Sequence, residues 1–141
     1  MKILVLPALL ALSGCAASTT GPFEAEYAPA GLQFAASPAP ANAGGVADLS
    51  LRNGSERPAG YNLCMAALEQ FDAGLWVPAR SHAVSCPQQF ASLAPGETAA
   101  GQAALPASLE PGFYRFVTQL TASSEDLPDV QLRSEPFRIA E

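Results

Sequence analysis

Thirteen prolines and eleven glycines are spread along the 141 residues. They gather into turns roughly every ten to fifteen positions, the spacing of short strands. Proline deletes a helical donor and clashes with the preceding turn, so no window remains in which a long helix would survive. The chain reads as all-β. Val46 to Asn53 shows it best: Ala47, Leu49 and Leu51 point one way, Asp48, Ser50 and Arg52 the other. That alternation marks a strand with one buried and one wet face.

Around it the remaining strands fall into place. Gly31 to Ala36 is a first strand, ended by Pro38-Ala39-Pro40 and Gly44-Gly45, and Asn53-Gly54-Ser55 turns the chain after the second. Tyr61 to Phe71 is a long strand, and Asp72-Ala73-Gly74 folds it back onto Leu75-Trp76-Val77 as a hairpin. Thr98 to Leu105 is a weak strand and Phe113 to Thr121 a strong one, rich in aromatic and β-branched residues. Val130 to Ala140 closes the domain, with Pro136 marking an edge position or a bulge. About seven short strands separated by turns is the pattern of a β-sandwich.

Ahead of this domain the chain has a different character. Met1-Lys2 precedes the apolar run Ile3 to Leu12, which ends in Ser13-Gly14-Cys15. Ten residues at about 1.5 Å each span only half of a ~30 Å hydrocarbon core, too short for a mature transmembrane helix. Small Ser13 and Gly14 admit a peptidase, and the Cys15 thiol is nucleophilic enough to take a diacylglyceryl group as a thioether. Leu12-Ser13-Gly14-Cys15 thus reads as a lipobox, with a plain secretory cleavage site as the simpler alternative. The expected organisation is a signal peptide at 1–14, a lipidated N-terminus and flexible tether at 15–30, and a sandwich domain at 31–141. The tether shows no helical or strand periodicity. Two or three acyl chains, at ~0.8 kcal/mol per buried methylene, would anchor stably where one would not. The segment is similar to bacterial lipoprotein leaders, in which Asp after the lipidated Cys retains the protein at the inner membrane. Here Ala16 and Ala17 follow, which implies the outer membrane facing the periplasm.

Composition narrows the partners. The formal net charge is −6, and Lys2 is the only lysine. No basic patch or aromatic-interleaved arginine run is present, which argues against nucleic acid. Acidity also argues against electrostatic adhesion to anionic lipid, leaving the membrane contact to the acyl chains on Cys15. With Cys15 committed to lipid, Cys64 and Cys86 remain, and in an oxidising compartment such a pair reads as a disulfide rather than as free thiols or a redox site. Folding the hairpin about Ala73 brings Cys64 near His82, a few residues short of Cys86, so a bulge or bend would join the thiols at its open end.

Leu109-Glu110-Pro111-Gly112-Phe113-Tyr114 resembles the tyrosine corner of immunoglobulin-like sandwiches, in which a Tyr at the start of a late strand bonds its hydroxyl to upstream backbone. In that corner Pro111 and Gly112 supply the bend, and Leu109 and Tyr114 fill the core beneath it. Further short motifs occur in the order found in bacterial immunoglobulin-like lipoprotein domains: Leu49 to Ser55, Tyr61, Leu68-Glu69, Gly74-Leu75-Trp76, Leu93 to Glu97, Pro111 to Arg115 and Phe137-Arg138-Ile139. The resemblance spans about residues 46–140 and implies an immunoglobulin-like fold and an envelope role, with no shared activity. It departs from antibody domains in its disulfide, because Phe116 stands where the second inter-sheet Cys would fall.

No catalytic set emerges. His82 is the sole histidine and no Gly-x-Ser-x-Gly elbow accompanies it, so it reads as a surface loop residue. Two Cys with one distant His cannot build a tetrahedral zinc site. Glu125, Asp126 and Asp129 could chelate calcium but read more simply as a solvated acidic loop. Trp76 is either partly in the core or an exposed contact residue. Arg115 is expected on the outer face, pairing with a cross-strand carboxylate. Asn53-Gly54-Ser55 matches a glycosylation acceptor, which carries little meaning in a bacterial lipoprotein. The expectation is a non-enzymatic binding or accessory domain without cofactor or metal, facing an envelope protein partner. A small hydrolase inhibitor and a purely structural envelope lipoprotein are the alternatives.

Overall fold

The computed structural model describes residues 31–38, 42–79, 85–122 and 130–140. Among these, β1 (Leu32–Pro38), β2 (Val46–Asn53), β3 (Ala59–Tyr61), β4 (Ala67–Asp72) and β5 (Leu75–Pro78) make up the first half. β6 (Ala91–Leu93), β7 (Thr98–Ala104), β8 (Gly112–Ala122), β9 (Val130–Arg133) and β10 (Phe137–Ile139) follow, and one 3-10 turn lies at Leu63–Met65. Every pairing is antiparallel. One sheet has the order β1-β2-β7, and the other seven strands form a second sheet around β8.

Along one edge β8 pairs with β4 and β3, and along the other with β10 and β9. The second sheet is therefore built from interrupted lines: β3 and β4 are one strand broken by the 3-10 turn, β9 and β10 one strand broken at Ser134–Pro136. The chain changes sheet after β2, after β6 and after β7. Two antiparallel sheets exchanged by the chain in this way make an all-β sandwich.

Alternation selects the core. Ala47, Leu49 and Leu51 of β2 face Tyr114, Phe116 and Leu120 of β8 and Leu132 of β9, all buried. The β4–β5 hairpin closes through Ala73 and Gly74, both at positive φ (48° and 86°), the two-residue loop whose twist matches the flanking strands. At the opposite end the backbones of Gly31 and Gly54 touch, the Gly54 N–H donating to the Gly31 carbonyl at 2.5 Å. A Cβ on Gly54 would come within 2.8 Å of that oxygen, so only glycine permits the approach.

Three features differ from the strand pattern read in the sequence. The long strand over Tyr61 to Phe71 is broken, because the 3-10 turn tucks Leu63 into the core and leaves Cys64 exposed. Val130 to Ala140 is split, with Ser134 stitched to Phe116: its N–H donates to the Phe116 carbonyl (2.9 Å) and its Oγ accepts from the Phe116 N–H (3.0 Å). β6 is an extra strand, three residues long and without alternation of its own; it exists through its pairing with β3. No helix among the described residues is long and apolar enough to cross a membrane.

Candidate functional site

Cys15 and the rest of residues 1–30 lie outside the described residues, as do His82, Glu125, Asp126 and Asp129. Among the described residues no three His, Cys, Asp or Glu side chains gather at metal-binding distance.

Cys64 and Cys86 are joined by a disulfide, with Cα atoms 5.7 Å apart. The bond lies next to the open end of the β4–β5 hairpin, since Cys64 stands just ahead of Ala67, the first residue of β4. It ties the 3-10 turn to the segment entering β6, and Asn62 reinforces the same tie from inside. Its Nδ2 donates to the carbonyls of Pro87 (2.6 Å) and Gln89 (3.1 Å). Together they hold Phe90 beside Gly60, which has no room for a side chain between Phe90 and Thr121.

The Pro-Gly corner is assembled from adjacent residues. Pro111 bends the chain, Gly112 opens β8, and Leu109 packs on the core rim. Tyr114 is 1% exposed, and its hydroxyl donates to the Glu110 carbonyl at 2.7 Å. Burial, and secondarily the Glu110 carboxylate, push its phenol above the ordinary value of 10.0, against a lowering by the hydrogen bond. Phe137 stacks on both Tyr114 (6.3 Å, 28°) and Phe116 (5.9 Å, 23°), an aromatic cluster that ties β10 to β8 within the larger sheet.

On the outer face of the larger sheet, Arg115 of β8 lies opposite Glu69 of β4. The guanidinium donates from Nε to Glu69 at 2.8 Å and lies 4.3 Å from the Trp76 ring centroid. Phe71 backs the indole at 5.2 Å, tilted by 57°. Trp76 is half-buried, yet on the face turned away from the core. Its position follows from register, since Trp76 is opposite Phe71 and both share the face of Glu69. Arg115 is itself buried at 8% exposure. The hairpin is thereby clamped to β8 by a charged and aromatic stack.

Asn53 is the residue whose importance the sequence least disclosed. It has no solvent exposure. Its Nδ2 donates to the carbonyls of Arg57 (2.7 Å) and Leu93 (3.0 Å), and its Oδ1 accepts from the Ser55 N–H (3.0 Å) and Oγ (2.6 Å). The amide therefore joins the end of β2 to the end of β6 and is closed to glycosylation in the folded domain. The available signal was an Asn at a turn with a Ser two residues on, an Asx-turn pattern.

No protein-family model matches this chain, and no curated protein matches it.

Proposed function

We propose that this chain is a membrane-anchored envelope lipoprotein whose immunoglobulin-like domain is a non-enzymatic binding or accessory module. The observation that carries the reading is Leu12-Ser13-Gly14-Cys15 at the end of a short apolar run behind Lys2. The Cys64–Cys86 disulfide supports it, because such bonds persist in oxidising compartments such as the periplasm. With those two thiols paired, Cys15 is the one remaining cysteine of three. Acyl chains hold the domain at the membrane, residues 15–30 space it from the surface, and the sandwich meets an envelope protein. Ala16 and Ala17 favour the outer membrane, with the domain in the periplasm.

Labelling of expressing cells with radioactive palmitate tests the anchor. The wild-type chain is expected to carry label and to fractionate with outer membranes, and Cys15→Ser to lose both. A Cys15→Ser chain that stays labelled and membrane-bound would overturn the reading, as would an unlabelled wild-type chain. Crosslinking in intact cells tests the module, with one defined protein expected on the domain.

A further inference from the structure

The three-stranded sheet ends in an open edge at β7. Asn53 donates its N–H to Glu97 and Leu105 donates to Gly45. These bonds set the alternation of the β2–β7 ladder, so Ala99, Gly101 and Ala103 direct their backbone groups to β2. The N–H and C=O groups of Thr98, Ala100, Gln102 and Ala104 point the other way, where no strand pairs with them among the described residues.

The other edges carry the usual protections against strand addition. β1 ends in Pro38, β5 is short and ends in Pro78, β6 is only three residues long, and the β9–β10 edge is broken around Ser134 and carries Arg133 and Arg138. β7 spans seven residues with no charge and no proline.

Beneath this edge lies an apolar floor that no strand covers among the described residues. β1 runs beside β9 and β7 beside the 3-10 turn, so β5 extends past β7 on the same side of the sandwich. Leu75 and Val77 of β5 alternate with Trp76 and therefore face the side on which the smaller sheet sits. They are 67% and 36% exposed because that sheet stops short of them. In constant-type immunoglobulin sandwiches a fourth strand completes this sheet at the corresponding edge. Here β6 pairs with β3 in the other sheet instead.

We propose that the β7 edge, with Leu75 and Val77, is a docking site for one extended strand of a partner protein. The partner segment is uncharged, with apolar residues at alternate positions. Its backbone would pair with Thr98, Ala100, Gln102 and Ala104, and its apolar side chains would cover Leu75 and Val77. Two observations select this occupant over a second copy of the chain. The overhanging β5 takes the space in which another sandwich would have to place its own second sheet. The footprint is also small: seven residues at ~3.3 Å by a width of ~10 Å is about 230 Å². That is well short of the ~800 Å² per partner of a stable globular interface, but suited to a strand held by main-chain bonds. The absence of charge at the edge of a chain of net charge −6 sets the neutrality of the segment.

This deepens the binding-module reading and rests on it for the existence of a partner; the site itself is tested without reference to the anchor. Amide hydrogen exchange is measured on the intact protein, alone and with a nine-residue peptide alternating Val and Thr. Alone, the amides of Thr98, Ala100, Gln102 and Ala104 are expected to exchange at least tenfold faster than those of Ala99, Gly101 and Ala103. Saturating peptide is expected to slow those four at least tenfold. Val77→Asp, an exposed substitution, is expected to weaken peptide binding at least tenfold while leaving the free protein's exchange pattern unchanged. Four slow amides in the free protein would show the edge already filled and overturn the proposal. Peptide that leaves them fast, or binds Val77→Asp equally well, would also overturn it, as would concentration-dependent dimerisation that protects them. None of these failures would touch palmitate labelling at Cys15.

Discussion

Arg115 and Trp76 form a stacked pair across the outer face of the larger sheet, the guanidinium carbon 4.3 Å from the ring centroid and its Nε bonded to Glu69. The side chains of Arg115 and Glu69 are 10% and 22% exposed, so the pair is largely withdrawn from water. Removing one member of such a pair costs more than replacing it with a well-packed apolar side chain, because a desolvated charge is left behind. Glu69→Gln is expected to lower unfolding stability by about 1–3 kcal/mol. Arg115→Met leaves the Glu69 carboxylate unpaired and should cost at least as much, whereas the double variant should cost less than the sum of the two. Urea unfolding of the two single variants and the double variant measures the coupling. Additive losses would show that the pair contributes nothing of its own.

The Tyr114 phenol is raised above its ordinary value by burial and by Glu110, and this sets the sign of an alkaline effect. The folded protein holds that proton to higher pH than the unfolded chain does. The contribution is therefore complete below the unfolded pKa and is lost as pH rises through the folded one, at up to ~1.4 kcal/mol per pH unit. Unfolding midpoints taken from pH 8 upward should fall beyond the ordinary tyrosine range, and Tyr114→Phe should flatten that fall. Below that range Tyr114→Phe is expected to cost about 1 kcal/mol for the hydroxyl bond to Glu110. An unchanged alkaline slope in the variant would refute the assignment.

Asn53 uses both ends of its amide, so Asn53→Ala strands the carbonyls of Arg57 and Leu93 and the N–H of Ser55 in one step. Losing several buried bonds at once places the expected cost at about 3 kcal/mol. Asn53→Asp keeps the acceptor for Ser55 but sets a carboxylate against two carbonyl oxygens, and should be no better than Ala at neutral pH. Thermal unfolding of both variants tests the order. A loss below 1 kcal/mol in each would mean that water replaces the amide.

These residues also show where sequence reading works on such a fold. The bounds of β2 and the β4–β5 hairpin were legible because alternation and a short turn are local signals. The Arg115–Glu69 pairing was legible in kind, since an Arg between two apolar neighbours on a strong strand faces outward. Its identity was not, because cross-strand register depends on how β4 and β8 align. The break after Tyr61 was hidden for a related reason. Asn62 and Cys64 turn the strand only by virtue of Pro87, Gln89 and Cys86, more than twenty residues on. Trp76 shows the limit of local reading: the hairpin left it either partly in the core or exposed, and cross-strand register put it half-buried on the outer face. The open edge of β7 was unreadable in principle, since an unpaired edge depends on which strands the other sheet has claimed.

The disulfide closes a sequence separation of 22 residues between the 3-10 turn and the entry to β6. On the chain-entropy relation, a loop of that length is worth about 3 kcal/mol. Asn62 holds the same segment through the carbonyls of Pro87 and Gln89, so part of the native geometry is maintained without the sulfur bond. The paired variant Cys64→Ser/Cys86→Ser should therefore still fold, with unfolding stability lower by about that amount. Adding Asn62→Ala should cost more in the serine background than in the disulfide-bonded protein, because the two ties share one segment. Alkylation of the intact protein, followed by mass measurement, checks the starting state. No label is expected on Cys64 or Cys86 before reduction and one on each after it; label on either before reduction would remove the premise. If the Asn62→Ala penalties are equal in the two backgrounds, the ties act independently and the segment is not the shared element.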